Sequence, residues 1–299
     1  MSVLYFLESI RNPVLDFLML SVTKLGEELI FMLIAVCVLW CVDKYKGYYL
    51  LFVGFFGIQI NQFLKVHFKV PRPWIKDPDF TVVDGAKAEA TGFSFPSGHT
   101  QTSVGAYGAI FAFTKKKWLK YLTAAFCILV PVSRMYLGVH TLLDVGVSFL
   151  IAIFLLFIFG IIMKKTANSK KGMRIFLSVM TLITFIATIY MTLRFKGDTE
   201  PQVTDAVENF YKMLGAALGM IMAFEIDSRY VKFTTHARWW VQIIKVVSGL
   251  AVILGIKFLG YLLLSPLMWL PLAKGITYLL IVVTAGALWP ITFKYFEKL

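Results

Sequence analysis

"GFSFPSGHTQTS", residues 92–103, joins a polar, proline-broken loop to a stretch apolar enough to enter a membrane. Ser97, Gly98 and His99 therefore stand at the mouth of a helix. That helix reads as a bilayer span because of what surrounds it. Residues 98–114 are one apolar run, and others lie at 26–42, 47–66, 118–137, 141–163, 174–193, 207–225, 239–262 and 275–292. A hydrocarbon core takes about 20 helical residues to cross, so the pattern predicts an all-α, polytopic membrane helix bundle of about nine transmembrane helices.

Composition leads to the same class. Of 299 residues, 59% are hydrophobic and 16% charged, with a mean hydropathy of +0.75. A soluble domain of this size could not hide so much apolar surface. The formal charge of +13 does not indicate a nucleic-acid partner. Its lysines and arginines fall in short clusters between apolar runs, the pattern of the positive-inside bias. Cys37, Cys41 and Cys127 all lie in apolar segments, so they read as small buried hydrophobes, with neither a disulfide framework nor a metal pattern. The start, "MSVLYFLESIRNP", lacks a basic n-region and a cleavage site, and no removed leader is expected. Glu8, Arg11, Pro13 and Asp16 interrupt residues 1–25, which suits interfacial helices. The domain plan is thus 1–25, a membrane core at 26–165, and further transmembrane helices at 166–299. Oligomeric state is left open.

Loop charge sets the orientation. Lys44 and Lys46, then Lys115, Lys116, Lys117 and Lys120, then Lys164, Lys165, Lys170, Lys171 and Arg174, follow alternate runs. That face is expected to be cytoplasmic, together with Arg229, Lys232, Arg238 and the tail carrying Lys294 and Lys298. Residues 67–97 fall on the outer face yet carry Lys69, Arg72, Lys76 and Lys87. Positive charge there runs against the topology, and an anionic substrate explains it.

Three segments meet at that outer face. "QINQFLKVHFKVPRPW" gives Lys65, six residues, then Arg72-Pro73; "FPSGH" ends at His99; "PVSRMYLGVHTLLD" gives Ser133-Arg134, five residues, His140, three residues, Asp144. Lys65, Arg72 and Arg134 supply fixed positive charge, and an arginine fork matches phosphate oxygens. Ser97 and Gly98 bring free N–H groups at a helix N-terminus, and Gly98 removes a side chain that would block a phosphate. His140 and Asp144, four apart, share a helix face, so the carboxylate can orient the imidazole. His99 is then available as a general acid near neutral pH. Asn61 and Gln62 read as helix–helix hydrogen-bonding groups, while His67 and Lys69 match no motif position.

Taken together, "K-x6-RP", "PSGH" and "SR-x5-H-x3-D" resemble the type 2 phosphatidic acid phosphatase (PAP2) family. All of the family's key positions are present with its internal spacing. The resemblance implies a PAP2-like core with a C-terminal helical extension, acting as a membrane phosphatase on a lipid phosphate or diphosphate such as undecaprenyl diphosphate or a phosphatidate-like lipid. It implies that His140 attacks phosphorus to form a phosphohistidine, oriented by Asp144, while His99 protonates the leaving oxygen. Lys65, Arg72, Ser97, Gly98 and Arg134 would cradle the phosphate. No cofactor and no metal is implied; the partners are the phosphorylated lipid and membrane lipids, with the active site on the extracytoplasmic face of the plasma membrane. A soluble sugar phosphate as substrate, phosphotransfer to a hydroxyl, and a non-enzymatic lipid carrier are the alternatives.

Overall fold

The computed structural model describes residues 1–166 and 169–296, and every regular element among them is helical. Lys298, counted above with the cytoplasmic charge, lies outside the described residues. Two short helices open the chain, α1 (Ser2–Ser9) and α2 (Pro13–Lys24). Asn12 caps α2 by accepting the Leu15 N–H at 3.1 Å, and Pro13 occupies the first turn, where a missing N–H costs nothing. The helices α3 (Glu28–Cys41) and α4 (Lys44–Phe68) follow, then two single turns, α5 (Pro73–Lys76) and α6 (Ala86–Glu89). The remainder comprises α7 (Gly98–Phe113), α8 (Lys117–Tyr136), α9 (Leu142–Thr166), α10 (Lys170–Arg194), α11 (Pro201–Ile226), α12 (Trp239–Leu264), α13 (Leu270–Val283) and α14 (Phe293–Phe296).

Among the described residues, five segments are long and apolar enough to cross a membrane: Lys44–Lys76, Leu142–Thr166, Lys170–Arg194, Trp239–Leu264 and Leu270–Tyr295. The expected count of about nine is therefore not supported. The shortfall has physical causes. Helix α3 is apolar but has only 14 residues, and α7 has 16, both short of the roughly 20 a bilayer needs. Helix α8 carries Lys117, Lys120 and Arg134, and α11 carries Asp205, Glu208, Lys212 and Glu225, charges that cost heavily in hydrocarbon.

The chain divides into two compact units, one of residues Met1–Ala35 and Tyr48–Ile161, the other of residues 36–47 and 162 onward. In the first unit, α7 lies along α8, and α1 and α2 pack on α8. The loop before α7 is folded over the end of α8: Val83, Ala86 and Ala90 form one apolar cluster with Tyr136, Leu137 and Val139, covered by Leu15, Met19 and Trp74. In the second unit, α11 and α13 are in the closest contact. A Cβ at Gly215 would sit 1.8 Å from the Gly275 carbonyl oxygen, and one at Gly219 would sit 2.9 Å from that of Leu279. Small residues let these two backbones touch, as helices in lipid commonly do. Cys37, Cys41 and Cys127 are free thiols.

Candidate active site

Each site residue is placed by a local cause. Ser97 caps α7, its hydroxyl accepting from Thr100 N at 3.4 Å and from Thr100 Oγ1 at 3.0 Å. The Ser97 N–H in turn donates to the Asp144 carbonyl at 3.2 Å, tying the start of α7 to the start of α9. A Cβ on Gly98 would meet nothing nearer than Asn61 Oδ1 at 3.9 Å, so the space before this helix mouth is open. Asn61 itself donates to the Pro96 carbonyl at 3.4 Å, holding the "FPSGH" turn from α4.

His140 is set by the end of α8. Gly138 adopts φ +81°, a left-handed conformation that costs glycine little. The chain then doubles back, and the Val139 and His140 N–H groups both donate to the Arg134 carbonyl, at 3.2 and 3.3 Å. The imidazole is buried, with 2% exposed. Its Nε2 accepts from Arg72 Nη1 at 2.9 Å. A guanidinium can only donate, so Nε2 carries the lone pair and Nδ1 the proton. Nδ1 points at Asp144 Oδ2, 3.6 Å away, just beyond hydrogen-bond length. That oxygen also accepts from Ser94 Oγ at 2.6 Å and Thr141 N at 2.7 Å. Burial, reinforced by the positive fields of Arg72, Arg134 and Lys65, pushes the His140 pKa well below its ordinary value, against the opposing influence of Asp144.

The basic residues gather around the same histidine. Arg72 donates through Nε to the Gly92 carbonyl at 3.0 Å, through Nη2 to Thr91 at 2.7 Å and through Nη1 to Val139 at 2.9 Å. Lys65 Nζ donates to the Phe93 carbonyl at 2.6 Å. Arg134 is 1% exposed, with Nη1 on Thr23 Oγ1 at 2.7 Å. The charges of Arg134, Arg72 and Lys65 also act on His99, whose Nε2 is buried without a hydrogen-bond partner. All eight residues expected at the site thus lie in the first unit, at the facing ends of α4, α7, α8 and α9.

Sequence reading missed the strip 91–94. Three successive carbonyls hold Arg72 and Lys65, and Ser94 holds Asp144. Gly92, at φ +68°, was the one available signal; carbonyl acceptors leave no mark on side-chain identity. Thr23 was missed as well, since it lies 111 residues from its partner. Among the described residues no cluster of His, Cys, Asp and Glu is arranged to hold a metal ion.

Fold and site together define an integral membrane protein with a buried histidine–aspartate pair set among cations at the common end of several helices. The chain belongs to the PAP2 superfamily, which matches residues 46–168, and residues 211–298 match the transmembrane extension of PAP2 superfamily phosphatases. Phosphatidylglycerophosphatase B of Bacillus subtilis (strain 168) is 30% identical over 162 residues, covering 50% of this chain and 75% of that protein. Sphingosine-1-phosphate phosphatase 1 of Mus musculus is 29% identical over 160 residues, 51% of this chain and 36% of that one. A probable sphingosine-1-phosphate phosphatase of Dictyostelium discoideum is 26% identical over 249 residues, 75% of this chain and 57% of that one. The match thus spans about a third of the mouse relative. No solved structure matches the chain significantly.

Proposed function

We propose that this protein is a membrane phosphatase that hydrolyses a lipid phosphate or diphosphate through a phosphohistidine. The observation that carries the reading is the Arg72–His140 contact at 2.9 Å with Asp144 behind the ring. It leaves the Nε2 lone pair directed at the guanidinium that would hold the phosphate. A phosphate arriving there takes over the Arg72 donor and meets Nε2. The nitrogen attacks phosphorus, the N–P bond forms, and the ester or anhydride P–O bond breaks. His99 gives its proton to the departing oxygen. As positive charge develops on the imidazole, Asp144 stabilises the Nδ1–H. Water then attacks phosphorus, its proton passing to His99, and the N–P bond breaks. Lys65, Arg72, Arg134 and the N–H groups after Ser97 stabilise the charge on the transferring phosphoryl oxygens, so we assign no metal to the reaction.

The relatives' names favour a lipid phosphate as substrate. Loop charge favours an extracytoplasmic site, and we assign the protein to the plasma membrane. We further assign catalysis to residues 26–165, and we propose that α3, α7, α8 and α11 complete the set of about nine spans where neighbouring helices shield their short or charged stretches. The test is a substrate panel on detergent-purified protein in EDTA: polyprenyl diphosphate, phosphatidate, phosphatidylglycerophosphate, a sphingoid phosphate and glucose 6-phosphate. Phosphate release from a lipid member, inhibited by vanadate, is expected. Hydrolysis abolished by EDTA and restored by metal defeats the metal-free reading; glucose 6-phosphate as the sole substrate defeats the lipid one. Transfer of phosphate to an added hydroxyl in place of water marks a phosphotransferase.

A further inference from the structure

The turn joining α2 to α3 touches two site residues from different motifs. Thr23, fully buried, accepts the Arg134 Nη1 donor at 2.7 Å. Three residues on, Gly26 is pressed against His99: a Cβ there would sit 3.0 Å from the His99 carbonyl oxygen, 3.1 Å from its Cβ and 2.6 Å from Val130 Cγ1. Between them the Leu25 carbonyl accepts from Tyr107 Oη at 3.0 Å, fixing the turn to α7 as well. The turn closes on itself through Gly26 N and the Thr23 carbonyl at 2.9 Å. Thr23, Leu25 and Gly26 themselves lie outside the matched span 46–168.

Arg134 is 1% exposed, so water cannot replace a lost partner, and a guanidinium with one fewer anchor turns about its long flexible stem. We propose that Thr23 is a positioning residue: its hydroxyl orients the Arg134 fork toward the phosphate, and the Gly26 contact keeps that hydroxyl in register with His99. The inference rests on the reading of Arg134 as a phosphate ligand. It gives the N-terminal helices a role in the site that apolar packing by itself does not.

Binding of vanadate to the full-length protein in detergent, read as the concentration that half-raises the thermal midpoint, tests the idea without depending on turnover. Thr23→Val keeps the shape and removes the acceptor; affinity is expected to fall about tenfold, the scale of one lost charge-assisted hydrogen bond. Thr23→Ser is expected to stay within about twofold of the unchanged protein, because the acceptor remains. Equal vanadate binding by Thr23→Val and the unchanged protein overturns the proposal, as does a Thr23→Ser variant as weak as Thr23→Val. Thr23→Ala serves the same comparison if the valine variant does not fold, and loss of folding in both assigns Thr23 a purely structural role and overturns positioning. Arg134→Ala is the separate control. Undiminished vanadate binding there defeats the phosphate-site reading itself.

Discussion

The two units both bury charge, and they treat their buried carboxylates in opposite ways. In the second unit each buried acid meets a lysine. Asp227 Oδ2 lies 2.6 Å from Lys44 Nζ, and Glu208 is bonded to Lys274. In the first unit Arg72 and Lys65 are held by the neutral carbonyls of residues 91–93 and 139, while Asp144 is held by a hydroxyl and an N–H beside its histidine. A salt bridge cancels its own field; carbonyl dipoles fix a cation in place and leave most of its charge uncompensated. Retaining that charge in a desolvated place is costly, and on the proposed function the phosphate of the substrate offsets the cost. On the proposed function, the second unit's buried acids serve structure and the first unit's cations serve a phosphate.

The largest test of this contrast is His140→Ala. On the proposed function it lowers turnover about 10⁴-fold, since no other group can carry the phosphoryl, with the thermal midpoint in detergent little changed. Near-normal turnover would break the contrast at its centre. Asp144→Asn should cost about 10³-fold in turnover by losing the charge that stabilises the imidazolium; steady-state kinetics on the same lipid decides. Asp227→Ala belongs to the other unit and should do the reverse. Taking the carboxylate from Lys44 at a partly buried site costs about 1–3 kcal/mol in stability, while turnover per folded molecule stays within about twofold. A tenfold loss of specific activity in a folded Asp227→Ala protein would blur the two roles.

Ser94→Ala sharpens the picture further. It removes one of the donors on Asp144 Oδ2, and about a tenfold drop in kcat with little change in KM is expected. The smallest effect concerns pH. Burial disfavours the imidazolium of His140 and lowers its pKa below the usual 6.5. The group therefore binds fewer protons than a free histidine at any given pH, and the lone pair survives as pH falls through 6.5. The acid limb of kcat/KM is expected below pH 6.5; a limb at or above that value would mean the nucleophile is not desolvated.

The comparison also separates what was legible in the chain from what was not. Lys65, Arg72, Ser97, Gly98, His99, Arg134, His140 and Asp144 could be picked out by type and spacing, and the structure brings them together in the first unit. The apolar runs likewise declared a helical membrane protein. Their number was less legible: α7 and α11 looked like spans in a hydropathy pattern, yet length in one and charge in the other keep them from qualifying alone. The pairing of Glu208 with Lys274 across 66 residues was invisible for the reason Thr23 was.

Amino-acid order by itself determined the class, the motif residues and the end of each helix on which they sit, since all follow from local periodicity and residue chemistry. Tertiary structure alone decided which nitrogen of His140 bears the proton, which carbonyls immobilise the cations, and that an N-terminal turn reaches Arg134. Those are contacts between backbone groups or between residues far apart in the chain. Every residue carries a backbone carbonyl whatever its side chain, and only folding brings distant partners within about 3 Å of each other, so no sequence pattern can encode them in advance.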